Sequence, residues 1–296
     1  MHFIAYILVY PLLWFISILP FRLLYLLSNG VYILLYHIIG YRKKVVTNNL
    51  KLVFPDKSNK EIISIKKKFY KHLCDMFLEM IKTISISETE LSKRFKILNP
   101  HELNQIEALN KSAILMFGHY ASWEWSIEVQ NHIDFTGYAV YKPLANKYFD
   151  NLVKRIRSKF NTHLISTRET VNTINHNEIL GKKSFTGFLS DQSPKLSKEV
   201  YWGKFMGIEV PCFTGAERLA KKLDLSTAYL KIDKVKRGYY QAEIKILAED
   251  STAYKDYELT DMFLREVEKQ IYAAPEYYFW THKRWKHAGK RKNNKT

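Results

Sequence analysis

Cysteine, glycine and early acidic residues are the scarce components of this chain. Its 296 residues include 2 Cys, 11 Gly and 8 Pro. Cys74 and Cys212 form neither a metal-binding spacing nor a disulfide framework, which points to a reducing compartment. Neither thiol has a histidine or other base close in sequence to mark it as a nucleophile. Gly-x-Ser-x-Gly is also absent, which removes the usual strand–turn–helix setting for a catalytic serine. No internal repeat and no low-complexity linker divides the chain. The first acidic residue is Asp56, and Arg22 is the only charge between Phe3 and Tyr41.

That uncharged stretch is the first positive feature. Phe3 to Leu19 is broken by Pro11 and closed by Pro20, and Phe21 to Ile39 follows with Ser28-Asn29-Gly30 inside it. The first run sits at the lower length limit for crossing a bilayer. A cleavable signal peptide needs a basic start and a small-residue cleavage site, and neither is present. The reading is a retained membrane anchor over 1–41, either one tilted span plus an interfacial helix or a re-entrant pair. A buried soluble helix pair is the competing reading. Arg42-Lys43-Lys44 then places residues 42–296 on the cytoplasmic face by the positive-inside rule.

Charge and aromatics agree with a surface-seeking protein. Formal net charge is +17, from 46 Lys+Arg against 29 Asp+Glu. Such an excess suits polyanionic partners: nucleic acid, anionic membrane, or acidic substrates and carriers. The basic residues form no recognisable nucleic-acid module, and the apolar N-terminus argues against nucleic acid. Aromatics reach 15%, suited to an interfacial surface or to an aromatic-rich core. Lys283 to Lys295 is a basic tail, expected to end disordered or on a membrane surface.

The rest reads as alternating elements. Ser58 with Glu61 makes a capping box before helical spacing of Ile62, Ile65, Phe69, Leu73 and Phe77. Strand-like stretches fall at 112–117, 135–141, 163–166, 184–190, 226–232 and 239–247. Helix-like stretches fall at 121–131, 146–160, 169–180, 213–223 and 260–273. This alternation predicts an α/β fold with a central, largely parallel sheet flanked by helices, plus the N-terminal hydrophobic anchor. Ligands in such folds bind at the carboxyl ends of strands. Gly118-His119 and Asp191-Gln192 both fall there.

His119 and Glu124 form the one His-x4-acid match in the chain. The match is weak alone, because 10 His among 29 acids in 296 residues gives about one by chance. Five residues of regular helix would separate the two side chains by about 140° around the axis. The pair can meet if His119 stands on the turn and Glu124 in the first turns of the helix. A carboxylate on one ring nitrogen would make the other a general base. With no nucleophilic Ser or Cys in place, the attacking hydroxyl is expected to belong to the substrate.

Gly118-His119-Tyr120-Ala121-Ser122-Trp123-Glu124-Trp125 resembles the Gly-His-x-x-x-Trp-Glu block of the late acyltransferases of bacterial lipid A biosynthesis, a branch of the lysophospholipid acyltransferase superfamily. Further blocks resemble that family in order. They are Asn48-Asn49-Leu50 with Phe54-Pro55, Tyr141-Lys142-Pro143 with Asn146 and Arg155-x-Arg157, Asp191-Gln192, Trp202-Gly203 with Thr214-Gly215 and Leu219-Ala220, and Pro275 through Lys286. The resemblance implies that His119 is the general base and Glu124 its orienting partner. It implies that Arg157, with Arg155 as the alternative, stabilises an oxyanion or holds a phosphate or carbonyl. Asp191 would shape the acceptor site, with Tyr141 and Gln192 completing the substrate contacts. The implied donor is an acyl group on acyl carrier protein, with no metal or other cofactor. The implied acceptor is a hydroxyl of an anionic lipid A precursor at the bacterial inner membrane; a lysophospholipid or aminolipid acceptor is the alternative. Ser193-Pro194-Lys195 and Lys142 depart from the family pattern, the latter standing where arginine is common.

Overall fold

The computed structural model describes residues 2–197 and 199–291. It opens with α1 (His2–Ile18) and α2 (Phe21–Tyr32), and α2 continues as a π-helical stretch, Ile33–Ile39. Gly40, at φ 69°, ends that stretch in a left-handed cap, the conformation glycine adopts without a Cβ penalty. Next come α3 (Lys43–Val53) and α4 (Asn59–Lys82), the latter opened by the Ser58–Glu61 capping box. The ridge of α4 carrying Ile62, Ile65, Phe69 and Leu73 is buried as its helical spacing requires.

The remainder of the chain alternates between helices and strands. In order it runs α5 (Glu88–Arg94), β1 (Phe95–Ile97), α6 (His101–Ala108), β2 (Ala113–Phe117), a 3-10 helix (Trp123–His132) and β3 (Thr136–Tyr141). Then follow α7 (Lys147–Arg157), β4 (His163–Ser166), α8 (Thr170–Ile179) and β5 (Ser184–Leu189). A hairpin of β6 (Tyr201–Phe205) and β7 (Ile208–Cys212) precedes α9 (Gly215–Leu223). The last elements are β8 (Ser226–Lys236), β9 (Tyr239–Ala248) and α10 (Glu258–Ala273).

Seven strands form one sheet in the order β1-β9-β8-β2-β5-β3-β4. All neighbours are parallel except the β8–β9 hairpin. This is the mixed α/β architecture expected from the alternation. The strand runs at 112–117, 135–141, 163–166 and 184–190 fall on β2 to β5, because buried parallel strands read as short apolar runs. Residues 121–131 form a 3-10 rather than an α-helix, and the sequence pattern did not signal α3, α5, β1, α6 or the β6–β7 hairpin. These are short elements whose place is fixed by packing rather than by periodicity.

The apolar N-terminus packs across the domain. On α2, Ser28 Oγ donates to Asp75 at 2.7 Å and the Tyr25 hydroxyl to Glu79 at 2.8 Å, while Arg237 pairs with Asp75 at 2.6 Å. The opposite faces of α1 and α2 leave Leu8, Leu26 and Ile38 bare, at 72, 66 and 73% exposure. Phe21–Ile39 is the one helical stretch among the described residues with the length and apolarity to cross a membrane. The end of the basic tail, 292–296, lies outside the described residues. Within the part that is described, Arg284 and Trp285 are buried, so the tail begins in the core.

Candidate active site

Parallel register builds the centre of the site. Phe117 of β2 pairs with Leu189 of β5, and both strands end there. Two residues further on, each chain presents a polar side chain on the same side of the sheet edge: His119 from one, Asp191 from the other. His119 Nδ1 lies 2.6 Å from Asp191 Oδ1. The Asp191 side chain is 1% exposed and that of His119 17%. Burial alone would raise the Asp191 carboxyl, but the His119 charge, its ring N–H and backbone amides outweigh it and hold the group below the usual carboxylate range. An ionised carboxylate can only accept, so Nδ1 carries the proton of this contact, and whenever the ring is neutral Nε2 is left with its lone pair. Nε2 makes no hydrogen bond among the described residues.

The turn beneath His119 is fixed from far along the chain. Ala121 N donates to Tyr277 O and Phe279 N to His119 O, each at 3.0 Å, while Tyr120 bridges Tyr278 antiparallel. The Tyr120 hydroxyl donates to the carbonyls of Gln270 and Ala274 at the end of α10. Ala121 sits at φ 50°, an unusual conformation for a residue with a Cβ. Gly118 leaves little room for a side chain: a Cβ there would fall 3.2 Å from Val267, a tight approach, and 3.8 Å from the Asp191 carboxyl carbon. The imidazole is flanked by Trp123 edge-on at 5.2 Å and by Phe279 stacked at 6.0 Å.

The terminal block is clamped in turn. Asn49 donates to the carbonyls of Trp280 and His282, and Arg42 to that of Thr281. His282 Nε2 accepts from the Ser193 amide at 3.2 Å, tying this block to the loop after Asp191. Burial pushes the His282 imidazole down to about 4, so it is neutral and able to accept. The sequence showed the terminal block only as a resemblance to the family and did not connect it to the histidine turn. No periodic signal could have shown that backbone pairing.

Glu124 does not orient His119. It takes Arg157 instead, through Nε–Oε2 at 2.8 Å and Nη2–Oε1 at 2.5 Å. The expected His119–Glu124 contact is therefore corrected to two separate pairs, His119–Asp191 and Glu124–Arg157. The reason is directional: Glu124 is the second residue of the 3-10 helix and faces α7, whereas Asp191 stands in register beside the histidine. Arg157 keeps its charge in a half-buried place because the Glu124 carboxylate outweighs the cost of burial. Arg155, two residues earlier, leaves the site altogether and donates to the Tyr10 hydroxyl at 2.8 Å. Asp191, expected to shape the acceptor site, is the hydrogen-bond partner of His119.

An apolar cleft begins at the Glu124–Arg157 pair. Its outer part is lined by Trp123, Tyr141, Arg157 and Leu189 among others. A narrow inner part continues between the 3-10 helix and the sheet to Leu115, Ile133 and Phe185. Phe117, Ser126, Ile127, Ala139 and Gly187 line both. Tyr141 thus belongs to the cleft wall, with its hydroxyl toward Asp150 at 3.4 Å. Gln192 is half-buried in the bend after β5, next to Asp191.

A buried carboxylate–imidazole pair at the strand ends of an α/β sheet, joined through Trp123 to an apolar cleft that an arginine lines, suits acyl transfer. The description "bacterial lipid A biosynthesis acyltransferase" matches residues 1–287, and the chain belongs to that family. It is similar to the lipid A biosynthesis lauroyltransferase of Escherichia coli (strain K12), with 23% identity over 275 residues, covering 93% of this chain and 89% of that one. It is also similar to the palmitoleoyltransferase of the same strain and to a lipid A biosynthesis acyltransferase of Shigella flexneri. Each is 21% identical over 276 residues, with 93% of this chain and 88% of the relative covered.

Proposed function

We propose that this chain transfers a fatty acyl group from acyl carrier protein to a hydroxyl of an anionic lipid A precursor, directly and without a covalent enzyme intermediate. The observation that carries the reading is the buried His119–Asp191 pair, with Trp123 both packed on the imidazole and lining the apolar cleft. His119 Nε2 takes the proton of the acceptor hydroxyl as its oxygen attacks the thioester carbon. Asp191 holds the ring tautomer and stabilises the imidazolium that forms. As the tetrahedral intermediate collapses, the carbon–sulfur bond breaks and the imidazolium returns its proton to the departing sulfur. No metal or other cofactor enters these steps.

Arg157, aimed by Glu124, faces the cleft mouth and is suited to balance the developing oxyanion. The cleft takes the donor's hydrocarbon chain, whose burial contributes about 0.8 kcal/mol per methylene. The bare apolar faces of α1 and α2 fit an inner-membrane surface, and Arg42-Lys43-Lys44 favours a cytoplasmic catalytic face. The excess of basic residues suits both an acidic carrier and a phosphorylated acceptor.

The test is transfer by the purified full chain from acyl carrier protein loaded with a radiolabelled acyl chain to a lipid A precursor, with a lysophospholipid offered in parallel. Label in the lipid A precursor, abolished in His119→Ala, supports the reading. Label in the lysophospholipid alone, or wild-type rates in His119→Ala, overturns it.

A further inference from the structure

Four cations lie on or just after the last turns of α7, and they are not treated alike. Lys154 pairs with Asp150 at 3.1 Å, and Arg157 with Glu124. Lys159 Nζ donates to the carbonyls of Thr83, Ile84 and Ile86, at 3.1, 3.3 and 2.5 Å, which leaves its charge without a carboxylate. Among the described residues Arg155 meets only a neutral phenol: its Nη2 meets the Tyr10 hydroxyl, and the guanidinium lies 5.3 Å from that ring's centre. Arg155 and Lys159 thus share one cleft with no acidic residue in its lining.

That cleft is separate from the His119 site. It lies between α1, the end of α4 and α7, walled by Tyr10, Trp14, Ile84 and Ile156 beside the two cations. Its α1 wall belongs to an uncharged helix whose other face is bare apolar surface, with Trp14 itself half exposed. Tyrosine and tryptophan beside cations, at the edge of an apolar face, are the composition found at headgroup depth. An unpaired guanidinium there gains most from an anion, and its planar fork matches phosphate oxygens.

We propose that the α1–α7 cleft binds the phosphate of a membrane lipid, with Arg155 as its principal contact and Lys159 adding charge from behind. This goes beyond the acyl-transfer reading, and the binding itself does not depend on that reading. Two sources share the chemistry: an anionic phospholipid of the bilayer, or a phosphate of the acceptor.

The experiment titrates the detergent-solubilised full chain with dihexanoyl phosphatidic acid and with dihexanoyl phosphatidylcholine, by calorimetry. Preferential binding of the phosphatidic acid, weakened at least tenfold in Arg155→Gln, is expected. Tyr10→Phe removes the same hydrogen bond but keeps the guanidinium, so it must retain the affinity. If Tyr10→Phe loses affinity as Arg155→Gln does, the arginine merely pins α1 and the inference falls. It also falls if Arg155→Gln binds like wild type. Transfer assays in zwitterionic micelles then separate the sources. Loss in Arg155→Gln of activation by added phosphatidylglycerol identifies the bilayer lipid. A rise in KM for the acceptor, whether or not phosphatidylglycerol is added, identifies the acceptor phosphate.

Discussion

Glu124 grips Arg157 with two nearly parallel hydrogen bonds, 2.8 and 2.5 Å, and so is spent on the arginine rather than on His119. The two carboxylates of the site therefore have different duties, and their amides should fail differently. Asp191→Asn replaces the carboxylate with a neutral amide that can donate to the ring and favour the other tautomer, and kcat is expected to fall about 10²–10⁴-fold with little change in KM. Glu124→Gln leaves the histidine paired but frees Arg157 to reorient. Its loss should be shared by Arg157→Lys, which keeps the charge and not the fork. Steady-state kinetics on the three variants and the Glu124→Gln/Arg157→Lys double mutant decide it. Effects of Glu124→Gln that couple to Asp191 and not to Arg157 would refute the assignment.

Gly187 sits where the inner and outer parts of the apolar cleft meet, and a Cβ there would fall 3.2 Å from Phe117 Cε1. Gly187→Val should divide the cleft. The expected outcome is a shift to shorter acyl donors, with transfer from short chains retained and from long chains lost. Mass spectrometry of products from an equimolar mixture of acyl donors measures the shift.

Ala121 is buried and held at φ 50° on the histidine turn. Ala121→Gly should be neutral or stabilising by up to about 1 kcal/mol, because glycine accepts that conformation freely. Ala121→Val adds bulk and β-branching at a left-handed position and should cost about 2 kcal/mol or more. Urea unfolding compares the three proteins, and an unaltered midpoint for the valine variant would contradict the strain.

Acid should loosen the site before it unfolds the rest. Burial holds His282 down at about 4 in the folded chain, below its ordinary value of 6.5. Between those values the unfolded chain binds more protons, so stability rises with pH there; the contribution is complete above 6.5 and lost as pH falls towards 4. His72, wholly buried and pushed down by desolvation and then by Lys234, acts with the same sign. Melting temperatures should therefore drop between pH 7 and 4.5, and His282→Gln should flatten part of that slope. Protonation also removes the acceptor for the Ser193 amide, so the loop after Asp191 should gain proteolytic sensitivity over the same range.

Much of the frame was legible in the chain. The strands that carry the site, β2 and β5, are short apolar runs ending in polar residues, and β2 to β5 fall where those runs predict. The turn placing His119 ahead of a helix was equally readable, since Gly118 and the run of Ala113 to Phe117 bracket it. Elements shorter than two helical turns, such as α5, left no periodic trace. The pairing of Tyr277 and Phe279 with the histidine turn left none either, because those are backbone bonds between distant segments.

The sequence by itself determined which groups are at hand: a histidine at a strand end, acids at 124 and 191, arginines at 155 and 157, and an apolar N-terminus. Tertiary structure decided who meets whom. Local spacing offers Glu124 to His119, but the parallel register of β2 and β5 brings Asp191, 72 residues away, to 2.6 Å. The same packing sends Arg157 inward to a carboxylate and Arg155 outward to a phenol. Side-chain direction at a strand end follows the sheet and its neighbours, and these come from parts of the chain that a five-residue spacing cannot sense.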